Sequence, residues 1–216
     1  SLGMVLYGIK TTREVKIETM IRHASVVKKF TKKSLVVVDL PHRTYENKYA
    51  AYQNARKVIK MTKCDAIKLE GGKKIVETVK YLTKKGIAVM GHIGLLPQTS
   101  TSFSVKGKNN IQKKKIYEDA VAISNSGVFA IIIECVVEDL AKKITKKVKV
   151  PTIGIGASKY CDGQILVTDD LLGLTDFSPK FVKRYSNLNK IIEKCVKNYA
   201  MDVKTKKFPS YKNVYK

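Results

Sequence analysis

The chain has 216 residues, 44% of them apolar and 28% charged, with a formal net charge of +24. The apolar share lies close to the globular norm of roughly 45–50%, which excludes a wholly disordered chain, and no window reaches the ~18 consecutive apolar residues of a membrane-spanning helix. Arginine stands only at 13, 22, 43, 56 and 184, so the rest of the 42 basic residues are lysines spread along the chain; a specific nucleic-acid binder instead gathers base on one face and reads bases with Arg.

The chain opens at Ser1 and runs at once into apolar Leu2–Leu6, which reads as the interior of a longer protein. Ile17, Met20, Ile21, Ala24 and Val27 recur at helical spacing and predict a helix over 16–29. The β-branched run 35–38 predicts a strand that ends at Asp39, and a helix follows over about 46–62. A second strand, 66–70, ends at Glu70 and is closed by Gly71-Gly72. Ile75, Val79 and Leu82 mark the next helix, which stops near Gly86. The third strand, 87–90, runs into Gly91-His92-Ile93-Gly94.

The polar stretch 99–110 is long for a connection inside a compact domain, a length typical of lids and disordered loops. Beyond it the pattern predicts a helix over 112–125, a strand over 128–133 ending at Glu134, and a helix over 136–147. The fifth strand is 152–155 and the sixth 164–167. A long C-terminal helix is expected over 179–200, with Phe181, Tyr185, Leu188, Ile192, Cys195 and Tyr199 on one stripe, as core or subunit interface. Cys64, Cys135, Cys161 and Cys195 show no CxxC spacing, so they suggest neither a zinc ribbon nor a redox pair, and a reducing cytosol is expected.

Strands alternating with helices, and strands that are near-continuously apolar, mean a parallel sheet covered by helices. Two architectures compete: an open doubly wound sheet, and a (β/α)8 barrel with two strands missing ahead of the six counted. No GxGxxG follows the first strand, so a dinucleotide site is unsupported. Asp39, Glu70 and Glu134 each end a strand and His92 ends a fourth; in a barrel, such ends converge on one face. Two or three carboxylates there make an oxygen site suited to Mg²⁺. Lys68, two residues before Glu70, points to the same side of its strand.

Val-Val-Asp-Leu-Pro (37–41), Ile-Lys-Leu-Glu-Gly-Gly (67–72), Met-Gly-His-Ile-Gly-Leu-Leu-Pro-Gln (90–98), Glu-Cys-Val (134–136), Pro-Thr-Ile-Gly-Ile-Gly-Ala (151–157) and Cys-Asp-Gly-Gln-Ile-Leu-Val (161–167) occur in this order. Together they resemble the ketopantoate hydroxymethyltransferase family over essentially the whole chain. The resemblance implies one partial (β/α)8 domain, 1–216, of the phosphoenolpyruvate/pyruvate-binding type. It implies transfer of a hydroxymethyl group to 3-methyl-2-oxobutanoate, with 5,10-methylenetetrahydrofolate as co-substrate. By motif, Asp39 and Glu70 are expected to hold Mg²⁺; Ser1, Asp39 and Lys68 to contact substrate; Glu134 to accept the proton; and His92 to line the pocket. A ring-like homo-oligomer, a cytoplasmic location, and neither membrane nor specific nucleic acid as partner complete the implied picture. Arg43 stands where the family pattern has Gly. Two other readings remain open at this point: a non-catalytic barrel, and another Mg²⁺-dependent 2-oxo-acid lyase or mutase.

Overall fold

A computed structural model describes residues 2–176 and 179–215. The chain divides into two compact units, Ser1–Ile165 and Leu166–Lys216.

The first unit opens with helices α1 (Leu2–Tyr7) and α2 (Ile17–Phe30). It then alternates β1 (Val37–Asp39), α3 (Lys48–Thr62), β2 (Ala66–Glu70), α4 (Val76–Lys84), β3 (Val89–Gly94), α5 (Asn110–Ser124), β4 (Ala130–Glu134), α6 (Glu138–Lys147), β5 (Thr152–Ile155) and β6 (Gly163–Gln164). All neighbouring strands are parallel and the sheet order is β1-β2-β3-β4-β5-β6. A doubly wound sheet must reverse its strand order at a switch point. Here every connection steps the same way, and crossovers of one hand then lay the connecting helices α3–α6 on one face. The sequential order therefore decides against the open doubly wound alternative.

Burial divides along the same line. Val38, Ile67, Leu69, Val89, Ile93, Ile131 and Ile133 pack with Ile21, Ala55, Val58, Leu82, Ile123, Leu140 and Ile144 of the helices in one large core. The opposite face carries a smaller apolar cluster of Met90, Ala130 and Ile132, flanked by Val37, Ile153 and Ile155. Gly91 sits on the helix side, where a Cβ would come within 3.1 Å of Ile123, so α5 approaches β3 closely there.

Local chemistry sets most boundaries. The Asn47 side chain accepts from Tyr49 and Ala50 N–H and starts α3 at 48, two residues past the expected start. Asn109 caps α5 by accepting from Gln112 N–H, so that helix begins at 110. β1 starts at Val37 because the Asp65 carboxylate takes the Val36 N–H at 2.8 Å, while Leu35 stays exposed. The polar stretch 99–110 is tied down at its far end: Lys106 N–H donates to Cys135 O and Val137 N–H to Lys106 O, a short parallel bridge beside β4.

The second unit contains α7 (Thr168–Leu172) and α8 (Leu188–Lys204). Two expectations are corrected here. The sixth strand is only Gly163–Gln164, not 164–167. The C-terminal helix spans 188–204, not 179–200, so Phe181 and Tyr185 precede it. The Arg184 guanidinium donates to the carbonyls of Thr175 and Asp176, and Tyr185 N–H to Leu171 O, which holds this stretch out of a helix. Asn187 then caps α8.

Candidate active site

Along a strand, alternate side chains share a face. On β2, Ile67 and Leu69 face the helices, so Lys68 and Glu70 face the other way. Register carries this parity across the sheet: Asp39 pairs with Lys68, Glu70 with His92, and Gly94 with Glu134. Asp39, Lys68, Glu70, His92 and Glu134 thus lie together on the helix-free face, at or beside the C-terminal ends of β1–β4. Ser1 lies outside the described residues.

Contacts link the five into one network. Lys68 Nζ is 2.8 Å from Asp39 Oδ2 and 3.2 Å from His92 Nδ1. His92 Nδ1 is 4.0 Å from Glu70 Oε1, and His92 Nε2 is 3.2 Å from Glu134 Oε2. An ammonium can only donate, so Nδ1 accepts and the ring proton belongs on Nε2, the nitrogen nearer Glu134. That N–H is not aligned with the carboxylate oxygen, however, and makes no hydrogen bond. The ring and the carboxylate are therefore close neighbours without a hydrogen bond between them. Below the network on the same face lie the apolar side chains of Met90 and Ile132.

The loop after β3 closes over Glu70. Gln98 N–H donates to Glu70 Oε2 at 3.0 Å, and the Gln98 amide donates to Leu40 O at 2.9 Å. Tyr45 Oη donates to Gln98 Oε1 at 2.8 Å. Gly94, at φ +92°, leaves no room for a Cβ, which would lie 2.3 Å from Glu134 O; the bare backbone lets β3 press against the end of β4.

Burial dominates the electrostatics. It raises the Glu70 carboxyl above its ordinary range, with the Asp39 charge adding, while His92, Lys68 and the Gln98 N–H oppose. Burial, helped by the Glu70 and Asp39 charges, also holds the Tyr45 phenol well above its usual value, so it stays a donor. Cys135, beside Glu134, is pushed up to about 11 by burial and then by the Glu134 charge, which keeps its thiol protonated.

The residues suit a hard cation. Asp39 Oδ1 is buried without a hydrogen-bond partner, and Asp39 and Glu70 offer only oxygen donors from adjacent strands. Among the described residues no three His, Cys, Asp or Glu side chains gather into a complete cage. Mg²⁺ tolerates this, since it usually keeps one or two protein carboxylates and fills its shell with water and substrate oxygens.

Sequence reasoning gave no role to Tyr45, Gln98 or Arg13, whose guanidinium donates to the carbonyls of Gln98, Thr99 and Ser100. Loop residues have no periodicity to betray them; the only signal for Gln98 was its place in the 90–98 motif.

A family model described as ketopantoate hydroxymethyltransferase matches residues 1–211. The chain is 53% identical over 215 residues to the 3-methyl-2-oxobutanoate hydroxymethyltransferase of Pelagibacter ubique, spanning 100% of this chain and 84% of that protein. It is 49% identical over 221 residues to the Rhizobium etli protein of the same name, spanning 100% of this chain and 81% of that one. Among solved structures it is similar to 2,3-dimethylmalate lyase, a PEP mutase/isocitrate lyase superfamily member. The TM-score is 0.52 at 9% identity, over 71% of this chain and 55% of that one. This last likeness concerns the fold alone, an α/β architecture whose six parallel strands curl as half a barrel.

Proposed function

The chain belongs to the ketopantoate hydroxymethyltransferase family, and on that premise we propose that it makes ketopantoate from 3-methyl-2-oxobutanoate, with 5,10-methylenetetrahydrofolate as the one-carbon donor, on the route to pantothenate and coenzyme A. The observation that supports this most is the convergence of Asp39, Lys68, Glu70, His92 and Glu134 on one sheet face, with Asp39 Oδ1 buried and unpartnered.

Asp39 and Glu70 would hold Mg²⁺, which would supply Lewis-acid chemistry toward a bound 2-oxo acid. Glu134 accepts the proton from C3 of the substrate. The C–H electron pair moves into the C2–C3 bond, and negative charge grows on the ketone oxygen. Lys68 is the protein cation placed to balance that charge, and its bond to Asp39 Oδ2 fixes where it sits. The carbon then adds to the methylene carbon that bridges N5 and N10 of the folate; the new C–C bond and a C–O bond from water replace its two C–N bonds, and the two folate nitrogens leave with the proton held by Glu134 and one from water. His92 keeps Lys68 and Glu134 apart as charges while touching both. Met90 and Ile132 give the alkyl end of the substrate an apolar bed. Ser1 joins the substrate contacts by family likeness alone. The same likeness supports a cytoplasmic, ring-forming homo-oligomer.

The test is proton NMR of 3-methyl-2-oxobutanoate in D₂O with protein and Mg²⁺. The C3 proton signal is expected to disappear without folate, and Glu134→Gln to slow its loss by about 10²–10⁴-fold, the usual range for a general base. Exchange at an equal rate in Glu134→Gln would remove Glu134 from the mechanism. Folate-dependent formation of ketopantoate separates this reaction from that of a lyase or mutase.

A further inference from the structure

We propose that Gln98, backed by Tyr45, is a positioning residue that sets Asp39 and Glu70 relative to one another as cation ligands; the inference rests on the reading of those two carboxylates given above. Gln98 is only 4% exposed, and a buried amide persists only where its polar groups are used. All of its main-chain and side-chain functions are engaged. Its N–H donates to Glu70 Oε2, its Nε2 donates to Leu40 O, its Oε1 accepts from Tyr45, and its carbonyl accepts from Arg13 Nε.

Leu40 directly follows Asp39, and Glu70 ends β2. One residue therefore ties together the chain ends that bear both carboxylates. The bond to Glu70 Oε2 fixes that carboxylate's rotation and so decides where Oε1 points. The bond to Leu40 O fixes the backbone just past Asp39, whose Oδ1 is buried and unpartnered. Tyr45 fixes the amide itself: by donating to Oε1 it leaves Nε2 aimed at Leu40. Arg13 steadies the loop from the other side by holding three successive carbonyls. Partners of this kind around a metal-binding carboxylate commonly alter metal affinity by 10–100-fold when removed.

The test titrates Mg²⁺ calorimetrically into the protein with saturating 3-methyl-2-oxobutanoate and no folate, so no turnover takes part. Gln98→Met, similar in size but without hydrogen bonds, is expected to raise the Mg²⁺ Kd about tenfold or more. Tyr45→Phe removes one hydroxyl and should raise it about threefold while melting close to the unaltered protein; it remains informative if Gln98→Met folds poorly. Glu70→Gln is the reference for a lost ligand. Weakened binding in Glu70→Gln with unchanged Kd in both other variants overturns this proposal alone, and leaves the loop a stability element. No Mg²⁺ binding by the unaltered protein, or an unchanged Kd in Glu70→Gln, overturns the metal reading and this proposal with it.

Discussion

Arg43 shows how a single residue can be legible as an anomaly without its consequence being legible. The sequence marks a cation where the family pattern has Gly, just ahead of the predicted helix over 46–62. In the structure its backbone sits at φ 64°, the left-handed region that suits Gly. Its side chain is exposed and its nearest acid, Glu46, is 4.0 Å away, a contact worth little. The left-handed conformation costs a side-chain-bearing residue roughly 1–2 kcal/mol, partly offset because Gly loses more entropy on folding. Arg43→Gly should therefore stabilise the protein by about 0.5 kcal/mol, read as a melting temperature higher by about 1–2 °C for a chain of this length. A lower melting temperature would mean that Arg43 makes a contact that outweighs its strain. The candidate site, by contrast, was largely readable one residue at a time: Asp39, Glu70, Glu134 and His92 announced themselves as ionisable groups at strand ends. Tyr45 and Gln98 did not, because a loop side chain acquires its role only from what folds against it.

At the scale of elements, capping and pairing moved boundaries that periodicity had placed within a few residues. The entry to β1 is one such place. Asp65, in the turn between α3 and β2, accepts from Lys28 Nζ at 2.8 and 2.7 Å and from Val36 N–H. The Lys28 hydrogen bond first, then that of Val36, holds its carboxyl below the usual range. A lowered carboxyl pKa stabilises the fold above the unfolded value of about 3.9, and the stabilisation is lost as pH falls through the lower folded value. Between about pH 5 and 2 the denaturant midpoint should fall more steeply for the unaltered protein than for Asp65→Asn, which cannot titrate. Equal slopes would show that the pair is too well solvated to matter. The C-terminal helix is where periodicity misled: the apolar stripe continues smoothly from Phe181 to Tyr199, but Arg184 and the Asn187 cap confine the helix to 188–204. No residue of that helix is buried, so its apolar side is not core.

For the whole molecule the dominant sequence fact is a net charge of +24. Its ion pairs, such as Lys57–Glu18 and Lys113–Asp139, are mostly solvent-exposed and leave most lysines unpaired by acid, given only 18 acidic residues. Self-repulsion then opposes the compact state and is screened over about 30 Å at 0.01 M salt but about 10 Å at 0.1 M. The melting temperature should rise as NaCl goes from about 10 to 150 mM; a flat profile would mean the charge is dispersed too widely to weigh on folding.

What the sequence determined by itself was the alternation of apolar strands and amphipathic helices, and the chemical kind of each strand-end residue, because burial and periodicity are local properties of the chain. What only the tertiary structure decided was that the strands lie side by side in sequence order. Register then sets Asp39 beside Lys68 and Glu70 beside His92, and a loop residue some thirty positions from Glu70 holds its carboxylate. The reason is physical: parity along one strand fixes which side chains share its face, but which strand comes next to it, and which loop closes over its end, depend on packing between segments distant in sequence.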